Sequence, residues 1–379
     1  MVNRKRVLQD FFDLVKVKCS TRAEREIADI LKNRLLKLGL TVTEDQTGQN
    51  LGGNCGNVFG YLPGNIAGAP VLLLSAHMDC VEPCANIEPV LQDGIITSAG
   101  NTVLGADDKS GIAAILEALQ QLQEQQLPHG DIQVVFTIAE EGGVNGSKNM
   151  DPSWLKADYG YVLDSSGNPG KFITTAPGQN RIDITIQGKS AHAGVAPETG
   201  LNAIVVAGKA LAQLKQGRLD EETTSNVGLI QGGVATNIVP DRVVITCEVR
   251  SRNASKMEAQ TQVLCETFRT VAEANGARAE ITVKKAYDPY VLPDQSPVTA
   301  IAVKAAKSIN LEPSLEGTGG GSDANFFNVF GVPSTVVATG MSKVHTTDEY
   351  IKEEHLYQTA ALVLALIKTA AQEKRRTMP

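Results

Sequence analysis

Long apolar runs are missing from this 379-residue chain, and so is any block of positive charge. No stretch approaches the length that spans a bilayer as a helix, so a membrane protein is not expected. The formal net charge is −7 with no basic arm or stripe, which argues against nucleic-acid binding. Residues 1–6 are basic, but no apolar segment follows them. A secretory signal is therefore not expected, and the chain reads as cytoplasmic. The six cysteines (Cys19, Cys55, Cys80, Cys84, Cys247 and Cys265) are scattered, and no CxxC pair occurs. A disulfide framework is thus excluded, and reduced structural thiols are the better reading even for Cys80 and Cys84. Glycine-rich residues 317–321 lack the Gly-Lys-Ser/Thr that would complete a phosphate loop. A turn, or backbone amides that cradle a substrate carboxylate, fits them better.

What is present is a 42% apolar composition with 20% charged residues, enough for large cores in about two domains. Leu8, Phe11, Phe12 and Val15 recur at helical spacing. A second helix is expected from Thr21, where Thr21 and Glu24 match a capping box. Residues 71–74 are apolar, and 132–138 are apolar apart from Gln133 and Thr137, as expected of strands covered on both faces, with an amphipathic helix between them. After Pro177-Gly178 the pattern changes: Ile182, Ile184 and Ile186 alternate with polar residues, marking a sheet with one exposed face. Two helices and three more strands follow, a βαββαβ order. The tail then returns to the first pattern.

The expectation is an α/β fold with a mixed, mostly parallel sheet flanked by helices and an inserted α+β lid or dimerisation domain. The catalytic domain would occupy 1–178 and 289–379, and the insertion 179–288.

Acidic and histidine clusters follow the apolar runs. They are His77-Met78-Asp79, Asp107-Asp108-Lys109, Glu140-Glu141, Asp164 and His345. In an open α/β sheet, ligands bind beyond the carboxyl ends of the strands, so these clusters can converge there. Taken singly, each has a plain reading. A His in a loop is usually a surface residue, and Asp at a helix start stabilises the helix dipole. Two adjacent carboxylates closing a buried strand serve no packing purpose, however, and a metal ligand beside a general base explains the pair. Histidine is also scarce, only five in the chain, and His77, His192 and His345 all fall in such motifs. His129 and His355 have no such context and are read as surface residues. The set suggests a two-metal hydrolase.

Together with Leu104-Gly105-Ala106, Ala139, Gly142-Gly143 and Ser190-Ala191-His192-Ala193-Gly194, these motifs resemble the cocatalytic-zinc exopeptidase family. That family includes peptidase T, carboxypeptidase G, dipeptidases and aminoacylases, and the resemblance points to its peptidase T-like branch. It implies two divalent metal ions, zinc first with cobalt or manganese as alternatives. His77 and Asp164 would hold one, Glu141 and His345 the other, and Asp107 would bridge them. Glu140 would be the general base and Asp79 the partner that orients His77. His192, Asn237 and Arg250 would bind substrate, with His192 acting within its own subunit or across a homodimer formed by the lid. The implied substrate is a short peptide, cleaved by an aminopeptidase or tripeptidase. An N-acyl-amino-acid amidohydrolase on the same metals is the alternative. Ser165-Ser166-Gly167 and Gly319-Gly320-Gly321-Ser322-Asp323 depart from the family pattern, as do Cys80 and Cys84.

Overall fold

The computed structural model describes residues 2–375 and divides the chain into two compact units. The first comprises Met1–Thr174, Leu292–Gly317 and Ser322–Pro379. Its central sheet runs in the order Thr41–Glu44, Val58–Leu62, Ile132–Thr137, Leu72–His77, Tyr159–Ser165, Ser334–Ala338, Lys171–Ala176. The four strands from Ile132–Thr137 to Ser334–Ala338 are mutually parallel, and antiparallel pairs close both margins. Every residue of Leu72–His77 and of Ile132–Thr137 is buried, which is why these strands are mostly apolar, with Ser75, Gln133 and Thr137 the polar exceptions before the site. Helices Arg4–Val15, Ala106–Gln125, Pro297–Ser308 and Glu353–Ala370 pack together and onto the sheet. The fold is the mixed α/β class expected.

Three details differ from the sequence reading, the first being His129, which is buried rather than at the surface. Thr21 and Glu24 do not form a capping box: the helix spans Arg25–Lys37, and the side chain of its cap residue, Glu24, accepts no amide of the first turn. Both side chains are taken by tertiary partners instead. A small antiparallel sheet also went unforeseen, in the order Met341–Ser342, Tyr350–Lys352, Ile95–Ala99, Glu88–Gln92. Its strands are short and largely exposed, so no apolar run announces them.

The second unit comprises Thr175–Val291 and Thr318–Gly321. Its antiparallel sheet runs Gly217–Arg218, Thr223–Gly232, Arg242–Ser251, Gly178–Gln187, Arg278–Tyr287. Ile182, Ile184, Ile186, Val243, Ile245 and Val249 face helices Ala203–Leu211 and Ala254–Ala274 in one core. The first of these helices is capped by Asn202, which accepts from the Ile204 and Val205 amides at 3.0 and 3.2 Å. In this unit Gly321 lies so close to the Tyr287 ring that a Cβ would come within 2.4 Å of it. Only glycine fits there.

Candidate metal centre

Parallel strands deliver their carboxyl ends to one edge, and the register does the rest. His77 closes its strand opposite Thr137, three residues before Glu140. On the other side Ser75 pairs with Val162, so two residues on, Asp164 comes beside His77. The Nε2 of His77 lies 3.0 Å from Asp107 Oδ1 and 4.0 Å from Asp164 Oδ1. The Nε2 of His345 lies 3.3 Å from Asp107 Oδ2 and 2.9 Å from Glu141 Oε2. The two oxygens of Asp107 thus face two different imidazoles. His77, Asp107 and Asp164 form one group able to hold a metal ion, and Asp107, Glu141 and His345 form another.

The remaining groups hold these side chains in place. Asp79, fully buried, accepts the Thr21 hydroxyl at 2.7 Å and the amides of Glu140 and Glu141 at 3.0 and 3.2 Å. It meets the His77 ring chiefly through its backbone carbonyl, 3.1 Å from Nδ1, with its carboxylate at 3.4 Å. Asp108 accepts the His77 amide at 3.2 Å. Buried Lys109 donates to the Asp79 carbonyl at 3.3 Å. Glu349 grips the Asp107 loop, accepting the amides of Leu104, Gly105 and Asp107 at 2.8, 2.7 and 3.0 Å. Asp323 accepts the hydroxyls of Thr137 and Ser147, each at 2.5 Å, on the two flanks of the Glu140-Glu141 turn.

Burial pushes the Glu140 carboxyl well above the ordinary range; His77 opposes this, while Asp323 and Glu141 add to it. Asp164 is likewise pushed up by burial, then by Asp107 and Glu140. Asp107 moves the other way: burial opposes the shift, but hydrogen bonds from His345 and His77 hold it well below its usual value. His345 is pushed up to about 10 by its bonds to Asp107 and Glu141.

The donor set fits a pair of divalent cations. Imidazole nitrogen with carboxylate oxygen is a zinc-type set, and its oxygen content also admits manganese. The Oε1 of Glu141 is buried without a hydrogen-bond partner, an orphan that a cation would satisfy. Carboxylates also outnumber the cationic groups around the cluster.

Glu24, Thr21 and Glu349 had no place in the sequence reading of the site, and Asp323 entered it only as the end of a departure from the family pattern. The capping-box match at Thr21 and Glu24 concealed the first two, and Glu349 is a single carboxylate without a motif. His192, Asn237 and Arg250 lie in the second unit. His192 bridges Ile238, and the Ala193 amide donates to the Asn237 carbonyl at 2.9 Å, so His192 and Asn237 are neighbours. Arg250 is paired with Glu248 at 3.0 Å near the far end of strand Arg242–Ser251. That is about 27 Å along the strand from Arg242, which stands beside the His192 end. The three residues therefore fall into two places.

The sequence profile of peptidase family M20/M25/M40 matches residues 73–369. The uncharacterized protein YqjE of Bacillus subtilis (strain 168) is 42% identical over 98% of this chain and 100% of its own. The crystal structure of aminopeptidase PepT from Bacillus cereus ATCC 10987 superimposes with a TM-score of 0.92 at 42% identity, covering 98% of this chain and 100% of that one. A tripeptidase from Staphylococcus aureus subsp. aureus Mu50 gives 0.95 at 40% identity over the same shares.

Proposed function

The chain belongs to peptidase family M20/M25/M40, and from that premise we propose that it is a two-metal aminopeptidase that acts on di- and tripeptides. The observation that carries the reading is Asp107, whose two oxygens face His77 and His345 at 3.0 and 3.3 Å. His77, Asp107 and Asp164 would hold one ion, and Asp107, Glu141 and His345 the other, with zinc as the first choice of metal. Bound there, the pair would supply Lewis-acid polarisation of the scissile carbonyl and a lowered pKa for water. Glu140 belongs to neither group. Its carboxylate takes the proton of the attacking water and returns it to the leaving amine. Asp79 fixes Glu140 and Glu141 by their amides, and Glu349 fixes Asp107. We assign His192 and Asn237 to substrate binding from one end of the second unit and Arg250 from the other, so that a short peptide meets both sets only across a homodimer, with His192 as a donor to the developing oxyanion.

The peptide preference rests on likeness to the PepT aminopeptidase and the tripeptidase, each at least 40% identical. Assayed side by side, trialanine and dialanine with free amino termini should be hydrolysed at kcat/KM values about 100-fold above N-acetylalanine. A site that hydrogen-bonds a group rejects analogues lacking it by at least that factor. Preference for the N-acyl substrate would make the protein an amidohydrolase instead.

We also assign a homodimer to the second unit. Strand Thr223–Gly232 pairs with Gly217–Arg218 only near its start, leaving an open edge. Leu229 and Ile230 on that strand are 59% and 51% exposed. Such an edge invites pairing with a second copy. Light scattering should give twice 40.2 kDa, and Ile230→Asp should halve it. A monomeric mass for the unmodified chain would refute the assignment. Among the described residues no helix is long and apolar enough to cross a membrane. We place the enzyme in the cytoplasm, where short peptides from protein turnover would be its substrates.

A further inference from the structure

We infer that Glu24 is a positioning residue for the general base: its buried carboxyl oxygen holds the backbone of Ala139, and thereby the turn that presents Glu140. The inference rests on Glu140 having the role proposed above.

Four consecutive amides lead into this turn, and none of them is held by a neighbouring strand. The Ile138 amide donates to Asn57 Oδ1 at 3.1 Å and the Ala139 amide to Glu24 Oε1 at 3.0 Å. The Glu140 and Glu141 amides donate to Asp79 at 3.0 and 3.2 Å. Side chains from three remote segments therefore set the path of the chain between the end of the strand and the base.

Ala139 is the point of strain in that path. Its φ is +49°, in the left-handed region that a residue with a Cβ disfavours. Such a conformation persists only where its surroundings determine it. Ala139 is fully buried, so water cannot take the place of the carboxyl oxygen on its amide. The same Oε1 also accepts the Arg22 amide at 2.9 Å, and Arg22 has φ +72°. One oxygen thus fixes two left-handed residues from segments more than a hundred positions apart.

The other oxygen of Glu24 is buried and has no hydrogen-bond partner. Holding the turn therefore needs one acceptor oxygen and not a second. Burial first, then the negative charge of Asp79, pushes this carboxyl upward, which suits a neutral group at the position. An amide should serve as well as the acid, whereas a methyl group should not.

The test compares zinc-loaded wild type, Glu24→Gln and Glu24→Ala on trialanine, with metal content measured beside kinetics. Backbone hydrogen exchange over residues 138–141 is followed in each. Glu24→Gln should keep kcat within about threefold. Glu24→Ala should lose about 100-fold in kcat with KM unchanged and two metal equivalents retained, the scale expected of a small misplacement of a reacting group. Its amides at 138–141 should exchange at least tenfold faster, with the remaining core unchanged. Should the alanine variant not fold, Glu24→Asp, which withdraws the carboxyl by one methylene, takes its place and should lie between the two.

The inference is overturned by a Glu24→Ala kcat within threefold of wild type, by unchanged exchange, by a change in KM alone, or by a glutamine variant as impaired as alanine. Loss of metal from Glu24→Ala would also overturn it, since Glu24 would then act through a ligand. Failure of the wild type to hydrolyse any peptide would sink the proposed function, and the exchange measurement would still decide whether Glu24 holds the turn.

Discussion

Replacing Glu140 by alanine should lower kcat by about 10³- to 10⁴-fold while both metal equivalents stay bound, the upper range for a positioned acid–base group. Glu140 and Glu141 are adjacent in sequence, but Glu141 alone shares a ligand group with Asp107 and His345. Both amides are held by Asp79, so the backbone places one carboxylate at the metal group and leaves the next free of it. Burial then moves Glu140 upward from the ordinary carboxylate range, with His77 opposing and the charges of Asp323 and Glu141 assisting. A base shifted in that direction holds a proton more readily than an ordinary carboxylate, as a group that both accepts and returns one requires. Glu140→Asp keeps the carboxylate but withdraws it, and should retain about one part in a hundred of the activity. Kinetics on trialanine, with metal content on the same samples, decides the point. Loss of one metal from Glu140→Ala would make it a ligand, and unchanged kcat would remove it from the reaction.

The sequence displayed the frame of this site more clearly than its supports. Mostly apolar runs at 71–75 and 132–138 mark strands buried on both faces, and parallel order makes their carboxyl ends coincide. His77, Asp107, Glu141, Asp164 and His345 are legible because each stands just past such a run or in a motif. The supports leave no comparable trace. Glu349 and Asp323 are single carboxylates whose partners, the amides of Leu104, Gly105 and Asp107 and the hydroxyls of Thr137 and Ser147, are remote in sequence. Thr21 and Glu24 even satisfy a local rule that the fold does not use. Their hydrogen bonds go to Asp79 and Ala139, while the first amide of the helix, Arg25, is satisfied by Asn54 Oδ1 at 3.0 Å. The small sheet built from Glu88–Gln92, Ile95–Ala99, Met341–Ser342 and Tyr350–Lys352 was hidden for a different reason. Its strands are short and exposed, so they carry no hydrophobic period to read.

Asp107 should prove the residue on which both metals depend, and substitution there should separate it from every other ligand. It alone belongs to both groups, with Oδ1 3.0 Å from His77 and Oδ2 3.3 Å from His345. Asp107→Ala withdraws an oxygen from each group at once, leaving two ligands for either ion. Such a variant should bind no metal at micromolar zinc and lose about 10⁴-fold or more in kcat. Asp164→Ala and His345→Ala each disturb one group, and each should keep one equivalent. Asp107→Asn, nearly isosteric, should keep the fold while offering a single neutral oxygen, and should hold one equivalent at most.

Thermal unfolding with added zinc gives a readout that does not depend on turnover. A ligand at about a thousand times its dissociation constant stabilises the native state by about 4 kcal/mol. Metal-free wild type should therefore gain several degrees in Tm as zinc is added, and Asp107→Ala should gain none. Two tightly bound equivalents in Asp107→Ala would mean that the oxygens facing His77 and His345 do not join the two groups, and the assignment of Asp107 as the shared ligand would fall.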